Sequence, residues 1–256
     1  MTDQLQKFCT GAMINNVKND GKQYLLTANH CVFADLSNSI AGFNYERLGC
    51  GTGTVSSSQT AHGMKLISRG STSDFALFEV VEKIPQAYNV YLSGWDARMP
   101  DISKSQTYAG IHHPSGDMKK ISLYTGKLQF ASWSEGPSKK YHLAISRWSR
   151  GVTEPGSSGS PLFNSEGNLI GQLHGGSSSC TNLEGSDLYG GFAYSYGDNG
   201  SGASLKNHLG LKSNLVPPGR NLYSSPGSST STSIVTSFVT RTVTNQVTRT
   251  VTGSCP

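Results

Sequence analysis

Charge is scarce in this chain. Asp, Glu, Lys and Arg make up 14% of its 256 residues, and no acidic residue occurs after Asp198. Such a composition argues against a surface of long charged helices, and 30 glycines point to many turns instead. Long apolar runs are also missing. No stretch approaches the ~20 residues of a membrane span. Concentrated positive charge is missing too. The net charge is +5, but the basic residues are scattered. Lys119-Lys120 and Lys139-Lys140 read as solvated turns, so no nucleic-acid partner is expected. Metal-ligand spacing is absent as well. The adjacent His112 and His113 lack the partners of a zinc site, so neither a metal nor a cofactor is expected. Cysteine is sparse and odd in number, at five.

What remains is a series of short apolar segments, each bounded by Gly, Pro, Asn or Ser. Strands are expected over 10–16 and 23–29, joined by the turn signal Asn19-Asp20-Gly21. Others are expected over 40–45, over 64–68 and directly after Asp74. A second set follows over 106–112, 119–133, 140–148, 161–173 and 190–196, the spacing of a barrel. Residues 51–60 read as a surface loop. The chain length suits one two-lobed domain or two small ones, with a crossover placed near 85–105. Ser204 to Leu209 is a short amphipathic stretch ending at Gly210, read as a closing helix. From Lys212 the composition shifts to Pro217-Pro218-Gly219, a Ser/Thr-rich run, and the repeats 239–244 and 247–252. This divides the chain into a domain over 1–212 and a linker and tail over 213–256. The tail reads as a flexible extension, a glycosylated Ser/Thr stalk, or a strand added to an edge.

Three stretches carry chemistry. Gly151 to Pro161 is a small-residue loop between strands that exposes the Ser158 hydroxyl. Glycines on both sides free backbone N–H groups to face an incoming carbonyl. Taken alone, this is equally a common Gly/Ser turn. Thr27-Ala28-Asn29-His30-Cys31 ends an apolar strand in a histidine beside a cysteine. Ser73-Asp74-Phe75 puts a carboxylate at the head of a buried-looking strand. The order His, Asp, Ser is one in which a base, its orienting carboxylate and a nucleophile occur.

These stretches resemble the trypsin-like serine proteases. Thr27 to Cys31 is similar to that group's T-A-x-H-C, and Gly156 to Pro161 to its G-D-S-G-G-P. The lysyl endopeptidase branch is the closest match, through Gly151–Pro161, Gly171-Gln172-Leu173-His174-Gly175-Gly176, Gly94-Trp95-Asp96 and Ile111-His112-His113-Pro114. The resemblance covers roughly residues 8 to 210. It implies an all-β fold of two six-stranded-type antiparallel barrels with an incomplete N-terminal lobe and a short C-terminal helix. It implies a secreted, monomeric serine endopeptidase acting on protein or peptide substrates on the carboxyl side of lysine. Ser158 would be the nucleophile, His30 the base, Asp74 its orienting partner, and the N–H groups of Gly156 and Ser158 the oxyanion hole.

Two departures matter. Ser157 stands where the trypsin-like pattern has Asp, so activation by a new N-terminal ammonium is not expected. Val152 stands where trypsin has its specificity Asp. In the lysyl endopeptidases an S-D-x-Y-G segment supplies that carboxylate from another strand, and Asp187 in Ser186-Asp187-Leu188-Tyr189-Gly190 matches it. Trp133 and His174 fall where those enzymes place rings beside the catalytic histidine, and Gly175 and Gly176 where substrate backbone pairs. The resemblance further implies a Cys9–Cys31 disulfide. The partners of Cys50 and Cys180 in that branch lie in an N-terminal segment with no counterpart here. A link between those two is therefore not expected: either they are free or the chain is a fragment of a longer precursor. Cys255 is left without an assigned partner. The rival to an enzyme is a catalytically inactive trypsin-like module used for binding or adhesion.

Overall fold

The structure, a computed structural model, describes residues 8–32, 39–47, 59–133, 140–197, 204–210 and 216–224. Cys50, Cys255, Lys139, the 51–58 stretch and the repeats beyond 224 lie outside the described residues.

The N-terminal lobe holds β1 (Ala12–Ile14), β2 (Tyr24–Ala28), β3 (Ile40–Gly42), β4 (Thr60–His62), β5 (Met64–Gly70), β6 (Phe75–Val80) and β7 (Tyr91–Leu92). Its main sheet runs β1-β2-β6-β5, all antiparallel, and β3 pairs with β4. β6 is buried along almost its whole length, as expected of an apolar central strand. The second lobe holds β8 (Gln106–His112), β9 (Lys120–Gly126), β10 (Gln129–Ala131), β11 (His142–Ile145), β12 (Pro161–Phe163), β13 (Leu169–Gly176) and β14 (Asp187–Gly191). They form one seven-stranded sheet in the order β10-β11-β14-β13-β12-β8-β9. The sheet has seven strands because two of the five expected segments divide: 119–133 at Lys127-Leu128, and 161–173 at the turn between Phe163 and Leu169.

The chain passes between lobes at the Gly94-Trp95-Asp96 segment. Ser93 bridges to Ile14 and Trp95 to Leu169. Trp95 is fully buried in a cluster drawn from both lobes, including Leu26, Phe75 and Phe192. Its indole N–H donates to the Asn15 carbonyl at 2.7 Å. Truncating such an aromatic typically costs about 3–5 kcal/mol, so this ring is a main tie between the lobes.

The strand expected over 190–196 is corrected. Only its first residues belong to β14; α1 (Phe192–Tyr196) follows as a helix. Phe192, Ser195 and Tyr196 are the buried positions. That i, i+3, i+4 spacing fits a helix, and both rings pack on Trp95. α2 (Lys206–Leu209) ends at Gly210, as read from sequence.

Residues 216–224 do not sit as a linker. β15 (Arg220–Asn221) pairs with β7, and Leu222 joins the cluster of Ile84 and Leu92. Arg220 is buried, and its guanidinium donates to the carbonyls of Asn19 and Ser224. A Pro-Pro-Gly-Arg run reads as a spacer by composition alone. Pairing with β7, the burial of Leu222 and the Arg220 bond to the Asn19 carbonyl make it an ordered strap.

Candidate active site

His30 leaves the end of β2 in a single 3-10 turn, Asn29–Cys31. The turn is pinned by a disulfide between Cys31 and Cys9, whose Cα atoms lie 6.3 Å apart. A bridge closing a loop of this size stabilises by about 3 kcal/mol. Asp74, nearly fully buried, clamps His30 twice. Its Oδ1 accepts the His30 backbone N–H at 2.9 Å, and its Oδ2 lies 2.7 Å from ring Nδ1. To do this Asp74 adopts a left-handed backbone, φ 57°, which Asp and Asn tolerate better than most residues. The neighbouring Ser73 carbonyl accepts Gln172 Nε2 at 2.7 Å, so the second lobe holds the turn in place. Gly190 permits this approach, because a side chain there would collide with the Ser73 carbonyl oxygen.

The His30 side chain is 40% exposed. Its ring stacks on His174, and His174 stacks on Trp133 with centroids 3.6 Å apart. His174 Nε2 also lies 3.6 Å from Asp74 Oδ2. Behind His174, its Nδ1 lies 2.9 Å from Nε2 of the buried His142. His142 was not singled out by sequence. The available signal was an imidazole inside the otherwise apolar strand His142-Leu143-Ala144-Ile145.

The Ser158 loop meets the same wall. Thr10 N–H donates to the Ser158 carbonyl at 2.8 Å, and Thr10 Oγ1 donates to the Gly156 carbonyl at 2.9 Å. Gly159 packs against Thr27 and Ala28, directly before His30. Gly156 has φ +95° and faces the backbone of His113 and Gly116, which leaves no room for a side chain. The N–H groups of Gly156 and Ser158 donate to nothing among the described residues. The Ser158 hydroxyl likewise makes no hydrogen bond to His30 or to any other described residue.

Asp187, the first residue of β14, is fully buried. Its Oδ2 accepts from Trp148 Nε1 at 2.6 Å, Thr153 Oγ1 at 2.9 Å and Ser178 Oγ at 2.6 Å. Its Oδ1 has no partner and lies against Gly176. Gly175 and Gly176 pair with Leu188 and Asp187 on one edge, while the β12 ladder on the other edge stops at Gln172.

Cys180 is disulfide-bonded, which excludes the alternative that it is free. Its partner lies outside the described residues. Among possible metal ligands, His30, Asp74 and His174 bring donor atoms within 4.8 Å of one another. Asp74 Oδ2 is already engaged there by His30. A cleft of about 640 Å³ in the N-terminal lobe, bordered by Lys22, Lys65, Glu79 and Tyr223, contains none of these residues.

Burial pushes His112 down to about 3. It also pushes His142 and His174 down to about 4, against the opposing pull of the Asp74 carboxylate. Unfolded histidine titrates near 6.5. Between about pH 6.5 and 4 the unfolded chain therefore binds more protons than the folded one, and stability falls as pH falls. Each depressed imidazole contributes on the order of 2 kcal/mol between pH 7 and 5. Urea unfolding across that window should show a steep loss, and a flat profile would contradict it.

The fold is that of the trypsin-like serine proteases, with the His30–Asp74 pair on the first lobe and the backbone of the Ser158 loop packed against that lobe at Thr10, Thr27 and Ala28. The model of the lysyl endopeptidase C-terminal domain matches residues 1–190, and the chain belongs to that family. It is 32% identical over 184 residues to a lysyl endopeptidase of Pseudomonas aeruginosa, covering 67% of this chain and 38% of that protein. Among solved structures, the thermostable serine protease AL20 from an extremophilic microorganism aligns at TM-score 0.50 and 16% identity, over 72% of this chain and 84% of its own. The active form of the Rv3671c protease of M. tuberculosis aligns at TM-score 0.47 and 16% identity, over 77% of this chain and 74% of its own. Among the described residues no helix is long and apolar enough to cross a membrane.

Proposed function

We propose that this chain is a serine endopeptidase that cleaves on the carboxyl side of lysine through an acyl-enzyme. The observation that carries the reading is Asp187: a buried carboxylate with three donors on one oxygen and none on the other. A buried charge is costly unless paired. A lysine ammonium is a compact donor on a long stem that suits a single unpartnered oxygen, whereas a guanidinium is a broad planar fork.

In this reading Ser158 attacks the scissile carbonyl. His30 takes its proton at Nε2 and returns it to the leaving amine, while Asp74 holds the Nδ1–H tautomer. The hydrogen bond from Ser158 to His30 forms when substrate binds, as catalytic hydrogen bonds commonly tighten only in the complex. The free N–H groups of Gly156 and Ser158 receive the oxyanion. Trp133 and His174 form a flat wall beside His30. The open edge at Gly175 and Gly176 takes the substrate backbone as an added strand. The catalytic unit extends through Ser224, because 216–224 pack on it. A disulfide-bonded chain of this family suits a secreted enzyme.

The test is kcat/KM on peptides differing only at P1. Lysine should exceed arginine, and both should exceed leucine, lysine by about 10²–10⁴-fold, the worth of a buried ion pair. Equal turnover of lysyl and leucyl peptides would leave a serine protease of another specificity. No turnover at all, with no labelling by a fluorophosphonate, would favour the binding module.

A further inference from the structure

Ser157, the fully buried residue before Ser158, is one end of a closed hydrogen-bond chain. Its Oγ lies 2.8 Å from His112 Nδ1 and accepts the Glu154 N–H at 3.2 Å. His112 Nε2 lies 3.0 Å from Ser122 Oγ, and that hydroxyl donates to the Val152 carbonyl at 2.7 Å.

The protons can be assigned by counting. Ser122 spends its one hydrogen on Val152, so its oxygen accepts from His112, and Nε2 carries the ring proton. Nδ1 is then an acceptor, and the Ser157 hydroxyl donates to it. The Ser157 oxygen is left to accept from Glu154. Every donor and acceptor in the chain is used once. No member is ionised, and the ring is almost wholly enclosed.

The chain ties the start of the nucleophile loop, at Val152 and Glu154, to its end at Ser157. Between them lie Pro155 and Gly156. We infer that His112 is a positioning residue: in a single neutral Nε2–H tautomer it locks the loop that carries the oxyanion donors. The inference rests on the reading of Gly156 and Ser158 as oxyanion donors. A loop tied at both ends holds those N–H groups without reorganisation, and a shift of about 1 Å in such a group costs about 10²-fold in rate.

The charged or titratable groups facing His112 are His113 beside it and Lys120 on β9. The Glu154 carboxylate on the loop turns away, its Oε1 accepting the Cys180 N–H at 2.7 Å. All of these disfavour an imidazolium or leave it uncompensated, so the tautomer persists through the neutral range.

The experiment uses the full chain with sites counted by fluorophosphonate titration. Ser157→Ala and His112→Gln are expected to lower kcat per titrated site by about 10–100-fold. KM for a lysyl substrate should change less than kcat, because Asp187 keeps its Trp148 and Ser178 donors, which lie outside the loop. His112→Asn, whose amide oxygen can still accept from Ser157, should retain more kcat than His112→Gln. A purely structural role would lower the melting temperature and leave kcat per titrated site unchanged, which would overturn the inference. A second measurement needs no variant. Long-range ¹H–¹⁵N spectra of the wild type should show His112 as the Nε2–H tautomer, with no titration from pH 8 to 5. An Nδ1–H tautomer, or titration near 6.5, would also overturn it. A wild type that neither labels nor cleaves would sink the protease reading instead, a result distinct from either.

Discussion

Replacing Asp187 with Asn is expected to lower kcat/KM for lysyl peptides by about 10²–10⁴-fold, as breaking one side of a buried ion pair does. Leucyl peptides should change far less. The structure explains why the fold should survive. An asparagine oxygen can take the place of Oδ2 and keep all three donors, Trp148, Thr153 and Ser178. Its NH₂ then occupies the place of the unpaired Oδ1. The pocket base changes from an acceptor facing the substrate ammonium to a donor opposing it. The measurement is the same P1 series run on both proteins, with melting temperatures to confirm folding. An unchanged lysine preference in a folded variant would remove Asp187 as the selector.

Replacing Asp74 with Asn is expected to lower kcat by about 10⁴-fold while leaving KM and the melting temperature close to those of the wild type. Asparagine accepts the left-handed backbone that position 74 requires. Its oxygen can still receive the His30 backbone N–H, as Oδ1 does now. The amide nitrogen must then face His30 Nδ1, where Oδ2 stands at 2.7 Å. A donor there makes Nδ1 the acceptor and puts the ring proton on Nε2. That nitrogen can no longer take a proton from Ser158. Raising the pH should not rescue the rate, because the fault is a tautomer and not a charge. A variant with kcat within tenfold of the wild type would show that Asp74 does not orient the base.

Much of this protein was legible along the chain. Short apolar runs closed by Gly, Pro, Asn and Ser are local signals of strands and turns, and most of the expected strands appear. The stretches around His30, Asp74 and Ser158 are likewise local: each is a strand end or loop whose residue types fit the proposed chemistry. Tertiary structure decided the rest, because the interactions concerned span long distances in sequence. Phe192-Ala193-Tyr194 can alternate as a strand, and only the pull of Phe192 and Tyr196 toward Trp95 makes it a helix. Arg220 reads as part of a polar linker until its bond to the Asn19 carbonyl in the N-terminal lobe is seen. The donors to Asp187 come from 39, 34 and 9 residues away, so no window on the chain contains them together. His112 shows the division most plainly. Along the chain it shows only as one of two adjacent histidines without the partners of a zinc site, whereas packing β8 against β9 and the nucleophile loop buries it between two serines. Sequence determined which residue types stand at each strand end. Burial decided which of them had to find partners, since a polar group removed from water must be matched by another or left at a cost.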